Sequence, residues 1–253
     1  MNGDFAGRAA VVTGAAGGIG LAVAEALMAQ GAQVLGLDIS EAVVTASRHP
    51  SWTGIATDVT DADAVHQAVT HFQQGAPRID LLVSNAGIFT AGKYIVELDV
   101  DTFERSLKVN LTSHLIVLKE TLLAMGKGTG SVVVIGSRNV AAPGPGAAAY
   151  SAAKAGLTQL ARVAALELAP QGIRVNVVHP DAVFSTGLWT DEALASSARR
   201  YGLTVEEYKR NNLLKVDVRL DDVTNAVLAL LSDRFSRTTG AQVPVDGGNI
   251  RVV

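Results

Sequence analysis

The feature that most constrains this chain is an alternation. Short apolar runs of strand length lie at residues 9–13, 33–38, 54–57, 81–84, 131–135, 174–178 and 242–245. Between them come longer stretches at 19–30, 62–73, 100–125, 149–169 and 221–232, in which apolar residues recur at three- and four-residue steps. Strands alternating with segments of helical period predict βαβ units around a parallel sheet. Right-handed crossovers then make the chain a doubly wound α/β fold with seven strands, mainly parallel, and helices on both faces.

Composition narrows what such a fold can do. At 253 residues and 48% hydrophobic content, the chain can bury a substantial core, and it reads as one domain, 1–253. A formal charge of -3 with both signs mixed along the chain gives no basic stripe for phosphate neutralisation, so nucleic acid is not expected as a partner. The uncharged run at 9–24 is interrupted by four glycines and preceded by Asp4, which suits a strand, turn and helix rather than a membrane span. The absence of cysteine excludes disulfides and thiolate metal sites and suits a cytoplasmic protein, one whose redox chemistry would need a borrowed cofactor. The histidines outside 179–186 show no zinc-like spacing, and no metal is assigned. The biased segment AAPGPGAAA, 141–149, looks like a linker but falls between a strong strand and a strong helix, where an ordered loop at the sheet's C-terminal edge is expected.

The first strand runs into TGAAGGIG, 13–20, and then straight into a helix. Gly14, Gly18 and Gly20 allow a tight turn and close approach of a pyrophosphate, with helix N-terminal amides aimed at its charge. Ile19 opens the helix beside them. Asp38 ends the second strand 18 residues after Gly20, where a carboxylate can accept hydrogen bonds from an adenosine ribose and would repel a 2'-phosphate. With no Arg or Lys in the glycine turn or just after Asp38, the pattern favours NAD over NADP. Asp58-Val59, and Asn85, Ala86 and Gly87 of SNAG, follow the third and fourth strands and are candidates for the rim of the same crevice, or for ordinary turn chemistry.

The chemistry-bearing group lies further on. A strand ends at Ser137, and thirteen residues later comes YSAAK, whose Tyr150 and Lys154 share a helix face. An adjacent cation would favour phenolate over phenol and turn Tyr150 into an acid/base, while Ser137 could hold a substrate oxygen as its proton moves. Arg138 and Asn139 follow Ser137 directly and are placed to meet a polar substrate.

TGAAGGIG, Asp58, SNAG, Asn110, Ser137, Tyr150, Lys154 and VDGG at 245–248 together resemble the short-chain dehydrogenase/reductase family in its single-domain, Rossmann-type form. The resemblance covers nearly the whole chain. It implies Tyr150 as acid/base, Ser137 orienting the substrate oxygen, and Lys154 on the nicotinamide ribose. It also implies Asn110 holding a relay water, although KVNLTSH by itself could simply bury one satisfied amide. A homotetramer is implied too, and the long helices at 100–125 and 149–169 are candidates to pair across a two-fold axis.

The chain departs from the family pattern after the sixth strand, where HPDAVFST, 179–186, replaces a usual Asn-Pro-Gly. Pro180, Val183 and Ser185 are expected to border the cofactor, with Ser185 or Thr186 near the pyrophosphate and Asp181 shaping the substrate pocket. His179, Asp181 and Ser185 also contain the residue types of a hydrolytic triad, which is a rival reading. PGPGAAAYSAAK, HPDAVF, GLTVEEYKRNN and TTGAQVPVDGGN resemble the dehydrogenase half of bifunctional rhamnulose-phosphate aldolase/alcohol dehydrogenase proteins, which implies a small sugar, polyol or hydroxyaldehyde such as lactaldehyde. A substrate lid is expected at about 186–212, with Leu188 near its start and Trp189 expected to contact the substrate. Arg199, Arg200, Lys209 and Arg210 within it read as a charged helix surface; any that faced inward would point to an acidic or phosphorylated substrate. The leading expectation is an NAD-dependent alcohol dehydrogenase. The alternatives are a non-catalytic dinucleotide-binding regulatory module and an NADP-dependent carbonyl reductase.

Overall fold

The computed structural model describes residues 3–76, 78–89, 92–126, 128, 130–187 and 189–250. Seven strands, β1 (Ala9–Thr13), β2 (Gln33–Asp38), β3 (Trp52–Ala56), β4 (Leu81–Ser84), β5 (Gly130–Ile135), β6 (Ile173–Pro180) and β7 (Gln242–Val245), form one sheet in the order β3-β2-β1-β4-β5-β6-β7. Every neighbouring pair is parallel, so "mainly parallel" becomes all parallel. The order reverses between β1 and β4, and parallel strands all end on one edge, so a crevice opens outside that edge at the reversal.

Both faces of the sheet are buried because successive side chains point to opposite sides. Ala9 and Val11 of β1 join Val132 and Val134 of β5 in one core cluster, while Ala10, Val12, Val133 and Ile135 join the other. The first face is covered by α2 (Ala62–Gln73), α4 (Ser113–Met125) and α5 (Ala148–Leu168), through Val65, Phe72, Val117 and Leu157. The second is covered by α1 (Gly18–Ala29) and α8 (Leu220–Leu231), which pack on each other through residues such as Leu27 and Val227.

Two elements differ from the sequence expectation. Strand β3 begins two residues early, at Trp52, because the indole lies over Gly36 of β2 and its Nε1 donates to the Val43 carbonyl at 3.1 Å. A Cβ on Gly36 would sit 2.0 Å from that ring, so the glycine makes the room. The expected helix at 100–125 is continuous but not uniform. It runs as α3 (Val100–Leu107), a π turn (Lys108–Thr112) and then α4. α3 packs against α5, and α4 against α2. The segment expected as a lid contains α6 (Asp191–Arg200) and α7 (Val205–Lys209), started by Thr190 accepting from Ala193 N and by a Thr204/Glu207 capping box. Leu188 lies outside the described residues.

Far from the crevice, Arg174 of β6 closes the other end of the second layer. Its two terminal nitrogens donate to the carbonyls of Leu230 (2.7 Å), Leu231 (3.1 Å) and Ser232 (3.1 Å), the last acceptors of α8. A cation at this position satisfies carbonyls that have no helical partner and opposes the negative end of the helix dipole. Arg174→Met should therefore cost about 2–3 kcal/mol and lower the melting temperature by roughly 4–10 °C in a thermal scan, with cofactor affinity unchanged.

Candidate active site

A cavity of about 390 Å³ lies outside the C-terminal ends of the strands, where the strand order reverses. One end is the turn from β1 into α1. Gly14 and Gly18 have φ of 66° and 55°, the left-handed region that favours glycine. Gly20 does not face the cavity; a Cβ there would lie 2.1 Å from the Gly14 carbonyl, so it permits the close approach of turn and helix. No side chain caps the start of α1, and its first turn carries no acid, so its terminal amides are left for an anion. Asp38 braces this turn, its carboxylate accepting Ala16 N at 3.1 Å and Ser40 N at 3.0 Å.

The turn is tied across the strand reversal to the loop after β4. The Thr13 hydroxyl accepts both Asn85 N and Ala86 N at 2.9 Å, and Asn85 Nδ2 donates to the Thr13 carbonyl at 2.9 Å. Further along that loop, Asn110 is fully buried in the π turn. Its Oδ1 accepts Ile88 N at 3.0 Å, and its Nδ2 donates to the Ile88 carbonyl at 3.0 Å and to Ser106 Oγ at 3.1 Å. The amide thus clamps the loop and does not line the cavity.

At the inner end, Ser137, Tyr150 and Lys154 converge. The Ser137 and Tyr150 side chains are hydrogen-bonded, and Lys154 Nζ lies 5.9 Å from the tyrosine ring centre. Phe89 meets the same ring edge-on, with centroids 5.0 Å apart. Lys154 is 2% exposed and donates to the Ile135 carbonyl at 2.8 Å. Burial pushes its pKa down to about 7 and pushes the Tyr150 phenol up, with the Ser137 hydrogen bond opposing the latter shift. The simple expectation of an ammonium stabilising a phenolate is therefore modified: both charged forms are desolvated, and the nearest stabiliser of phenolate is Ser137. Beneath the same loop, His114 Nδ1 lies 2.7 Å from Ser84 Oγ, and burial first, then Lys154, hold this histidine well below its usual pKa.

A family model described as enoyl-(acyl carrier protein) reductase matches residues 14–249, nearly the whole chain. The chain belongs to the short-chain dehydrogenase/reductase family. It is 36% identical to cis-4-hydroxycyclohexanecarboxylate dehydrogenase of Sinomonas cyclohexanicum, with 98% of both chains covered. It is 34% identical to 2,3-dihydro-2,3-dihydroxybenzoate dehydrogenase of Escherichia coli K12, covering 97% of this chain and 98% of that one. The solved structure of Thermoplasma acidophilum aldohexose dehydrogenase superposes with a TM-score of 0.87 at 27% identity, covering 100% of this chain and 98% of the other. Members of the family are oxidoreductases that bind a nicotinamide dinucleotide.

Within this short-chain dehydrogenase/reductase, most of the expected site residues share the one cavity. Gly14, Gly18, Ile19, Asp38, Asn85, Ala86, Gly87, Ser137, Arg138, Asn139, Tyr150, Lys154, Pro180, Asp181, Val183 and Trp189 all line it. Four cofactor candidates besides Gly20 or Asn110 need comment. Asp58 is exposed and accepts Thr60 N at 2.8 Å in a local turn, and Val59 packs into the core, so neither lines the cavity. Ser185 is exposed and turned away, whereas its neighbour Thr186 lines the cavity against Gly18. Val183 does line it, but as a buried side chain.

The hydrolytic triad does not assemble. His179 is buried, with Nδ1 3.1 Å from Ser137 N and Nε2 2.7 Å from Gln242 Oε1, which orients the serine backbone rather than Ser185. Gly136 leaves the space, since a Cβ there would lie 2.6 Å from His179 Nδ1. Asp181 bonds neither His179 nor Ser185 but is paired with Arg138 and accepts Asn249 Nδ2 at 2.6 Å. Its φ is not positive, so the backbone freedom of a glycine is not used at this position.

Sequence reasoning missed the role of Thr13, gave His179 a different role, and did not single out Phe89, Tyr201 or Tyr208, which line the cavity. The signal for Thr13 was a lone hydroxyl ending an otherwise apolar buried strand, which needs a partner. That for His179 was an imidazole following an apolar strand beside a glycine-ended one.

The buried lysine has a measurable consequence in the unliganded protein. Its folded pKa of about 7 lies below the ordinary lysine value of 10.5 that applies to an unfolded chain, so between these values the unfolded state holds the extra proton. Stability must then rise with pH across that window, by at most about 1.4 kcal/mol per pH unit from this group. Denaturant titrations at pH 7, 8 and 9 should show the advantage of Lys154→Met over wild type shrinking as pH rises. A difference independent of pH would contradict the desolvated lysine.

Proposed function

We propose that the protein is an NAD(H)-dependent dehydrogenase that interconverts an alcohol and a carbonyl on a small polyhydroxylated substrate, a sugar, polyol or hydroxyaldehyde. The observation that carries this is the meeting of Ser137, Tyr150 and Lys154 at one end of a cavity whose other end is an uncapped helix N-terminus beside Asp38.

The residues fit a dinucleotide. Gly14, Gly17 and Gly18 leave backbone exposed where a pyrophosphate would lie, with Thr186 opposite Gly18. Asp38 stands where the adenosine ribose would be held. Among the described lining residues the cations are Arg138, Lys154 and Arg200, none of them beside Asp38 in sequence or on its strand. A 2'-phosphate would meet an uncompensated carboxylate, which supports NAD over NADP.

A bound nicotinamide would supply the hydride chemistry at the carbon that carries the substrate hydroxyl. Ser137 Oγ and the Tyr150 hydroxyl hold the substrate oxygen between them. In the oxidative direction Tyr150 takes the hydroxyl proton, and in the reductive direction it returns one to the forming alkoxide. Lys154 sits close enough to favour phenolate whenever it is protonated, and the Ser137 hydrogen bond favours it throughout. Since the Asn110 amide is spent on Ile88 and Ser106, any water relay at that point would use the backbone of the π turn, where the helical bonding pattern is interrupted.

The substrate end of the cavity is walled by aromatic rings. Phe89 and Trp189 lie 6.3 Å apart, and Trp189 and Tyr208 also 6.3 Å, with Phe184 packed behind at 5.1 Å from Trp189. Such a wall suits the C–H faces of a cyclic member of the substrate class better than an extended acyl chain. The segment 186–212, which brings Trp189, Tyr201 and Tyr208, would act as the lid. The same reading carries the resemblance to the dehydrogenase half of rhamnulose-phosphate aldolase/alcohol dehydrogenase proteins, and a cytoplasmic homotetramer. Exposed Leu115 and Leu123 on α4, and Val163 and Leu166 on α5, are apolar surface that would pair in that tetramer.

The direct test is a panel of cyclic and acyclic polyols, sugars and hydroxyaldehydes with NAD, followed by NADH absorbance. Tyr150→Phe should lower kcat by about 10²–10⁴ while leaving NADH binding within a few-fold. Retained turnover in that variant would rule out Tyr150 as the acid/base. In the same assay kcat/KM should favour NAD over NADP by at least about tenfold, and Asp38→Ala should narrow that ratio by relieving the repulsion.

A further inference from the structure

Four cations in the segment 186–212 could have faced either way, and the structure separates them. Lys209 pairs with Glu206 at 3.6 Å, Arg210 with Asp217 at 3.8 Å, and Arg199 is exposed. Arg200 alone of the four lines the cavity, with Nη1 donating to the Pro145 carbonyl at 2.8 Å. The loop after β5 is shaped to receive it. A Cβ on Gly146 would lie 3.2 Å from Arg200 Nη1, and one on Gly144 would lie 2.6 Å from the Tyr201 hydroxyl, so both glycines let the end of α6 close onto the loop.

Arg138 stands in the same part of the cavity and is held rigidly. Its Nε is paired with Asp181, its Nη1 donates to the Ala142 carbonyl at 3.3 Å, and its side chain hydrogen-bonds Tyr201. Asp181 is fixed in turn by Ala182 N at 2.7 Å and Asn249 Nδ2 at 2.6 Å. The pair is largely buried, with side chains 17% and 11% exposed.

Of the cavity's charged side chains, Lys154 and Asp38 belong to the part assigned to the dinucleotide; toward the lid Arg138 and Arg200 stand against Asp181, an excess of one positive charge. The acids of the two lid helices, Asp191, Glu192, Glu206 and Glu207, are exposed and do not line the cavity. Arg200, of intermediate exposure, is in no ion pair among the described residues, which leaves its guanidinium free to pair with a ligand anion. One excess charge matches a carboxylate; a dianionic phosphate would overshoot it.

We propose that Arg200 receives a carboxylate carried by the substrate, so that the preferred substrates are small ring-bearing hydroxy acids. This rests on the dehydrogenase reading and goes beyond it by adding an acid group to the small hydroxylated substrate. The Phe89, Trp189 and Tyr208 wall takes the ring, Ser137 and Tyr150 take the hydroxyl, and the carboxylate lies toward the lid. Asp181 acts as a positioning residue: by neutralising Arg138 and fixing its fork, it leaves Arg200 as the charge that selects the anion.

The test is calorimetric titration of the NADH-loaded protein with benzoate and with benzamide, which share shape and differ in charge. Benzoate should bind at least about tenfold more tightly than benzamide. Arg200→Gln should reduce that ratio below about twofold, Arg200→Lys should keep most of it, and Arg199→Gln should leave it unchanged. Failure to bind NADH at all would overturn the dehydrogenase reading. NADH binding with equal affinities for benzoate and benzamide, or a ratio that survives Arg200→Gln, would overturn the carboxylate site alone. Phenyl phosphate binding more tightly than benzoate would overturn the single-charge count.

Discussion

The Thr13 hydroxyl, accepting the amides of Asn85 and Ala86, is the interaction on which the rest of the site depends. At the reversal of strand order, β1 and β4 must end side by side while their continuations part to opposite faces of the sheet. That leaves amides at both strand ends with no ladder partner in a place that is only partly wet. One hydroxyl at the last position of β1 satisfies two of them and locks the glycine turn to the loop after β4. Asp38 does the same from the other side through Ala16 and Ser40. The walls of the crevice are therefore fixed to each other and not merely adjacent, which lets an uncapped helix end stay open without collapsing onto a neighbour.

A second constraint comes from burial. Tyr150, Lys154, His114 and Asn110 are packed around the start of α5 and the loop after β4, where water is scarce. Every charge there is expensive, so the protonation state of the group is set by desolvation before any pairwise attraction acts. The lysine near neutrality and the tyrosine above its ordinary value are two results of the same dry environment. A ligand that brings its own charge would rearrange the balance far more than it could at a wet surface.

Much of this was legible in the sequence because it depends on local rules. The strand ends at Thr13, Asp38 and Ser84 follow from apolar runs stopping at polar residues, and the glycine turn follows from the residues it requires. What escaped depends on partners distant in the chain. Strand β3 starts at Trp52 only because Gly36 offers its face, and Ser185 and Thr186 are equivalent in type until the loop's path turns one outward. Arg200 read as a surface charge because nothing in its helix pattern reveals that Gly144 and Gly146 admit its last turn. The aromatic wall joins Trp189, which was expected at the substrate, to Phe89, Tyr201 and Tyr208, which were not, from two separate stretches that no periodicity links.

The π turn at 108–112 has a further effect that is geometric. One extra residue in a helix advances everything beyond it by about 100° around the axis. The two halves therefore present differently phased faces, α3 toward α5 and α4 toward α2, from what the sequence writes as one amphipathic stripe. The widened turn acts as a phase shifter. Deleting a single residue within it would restore a regular helix and improve local bonding, yet rotate α3 off α5 and carry Asn110 away from Ile88. A change that perfected the helix would take apart the floor of the crevice.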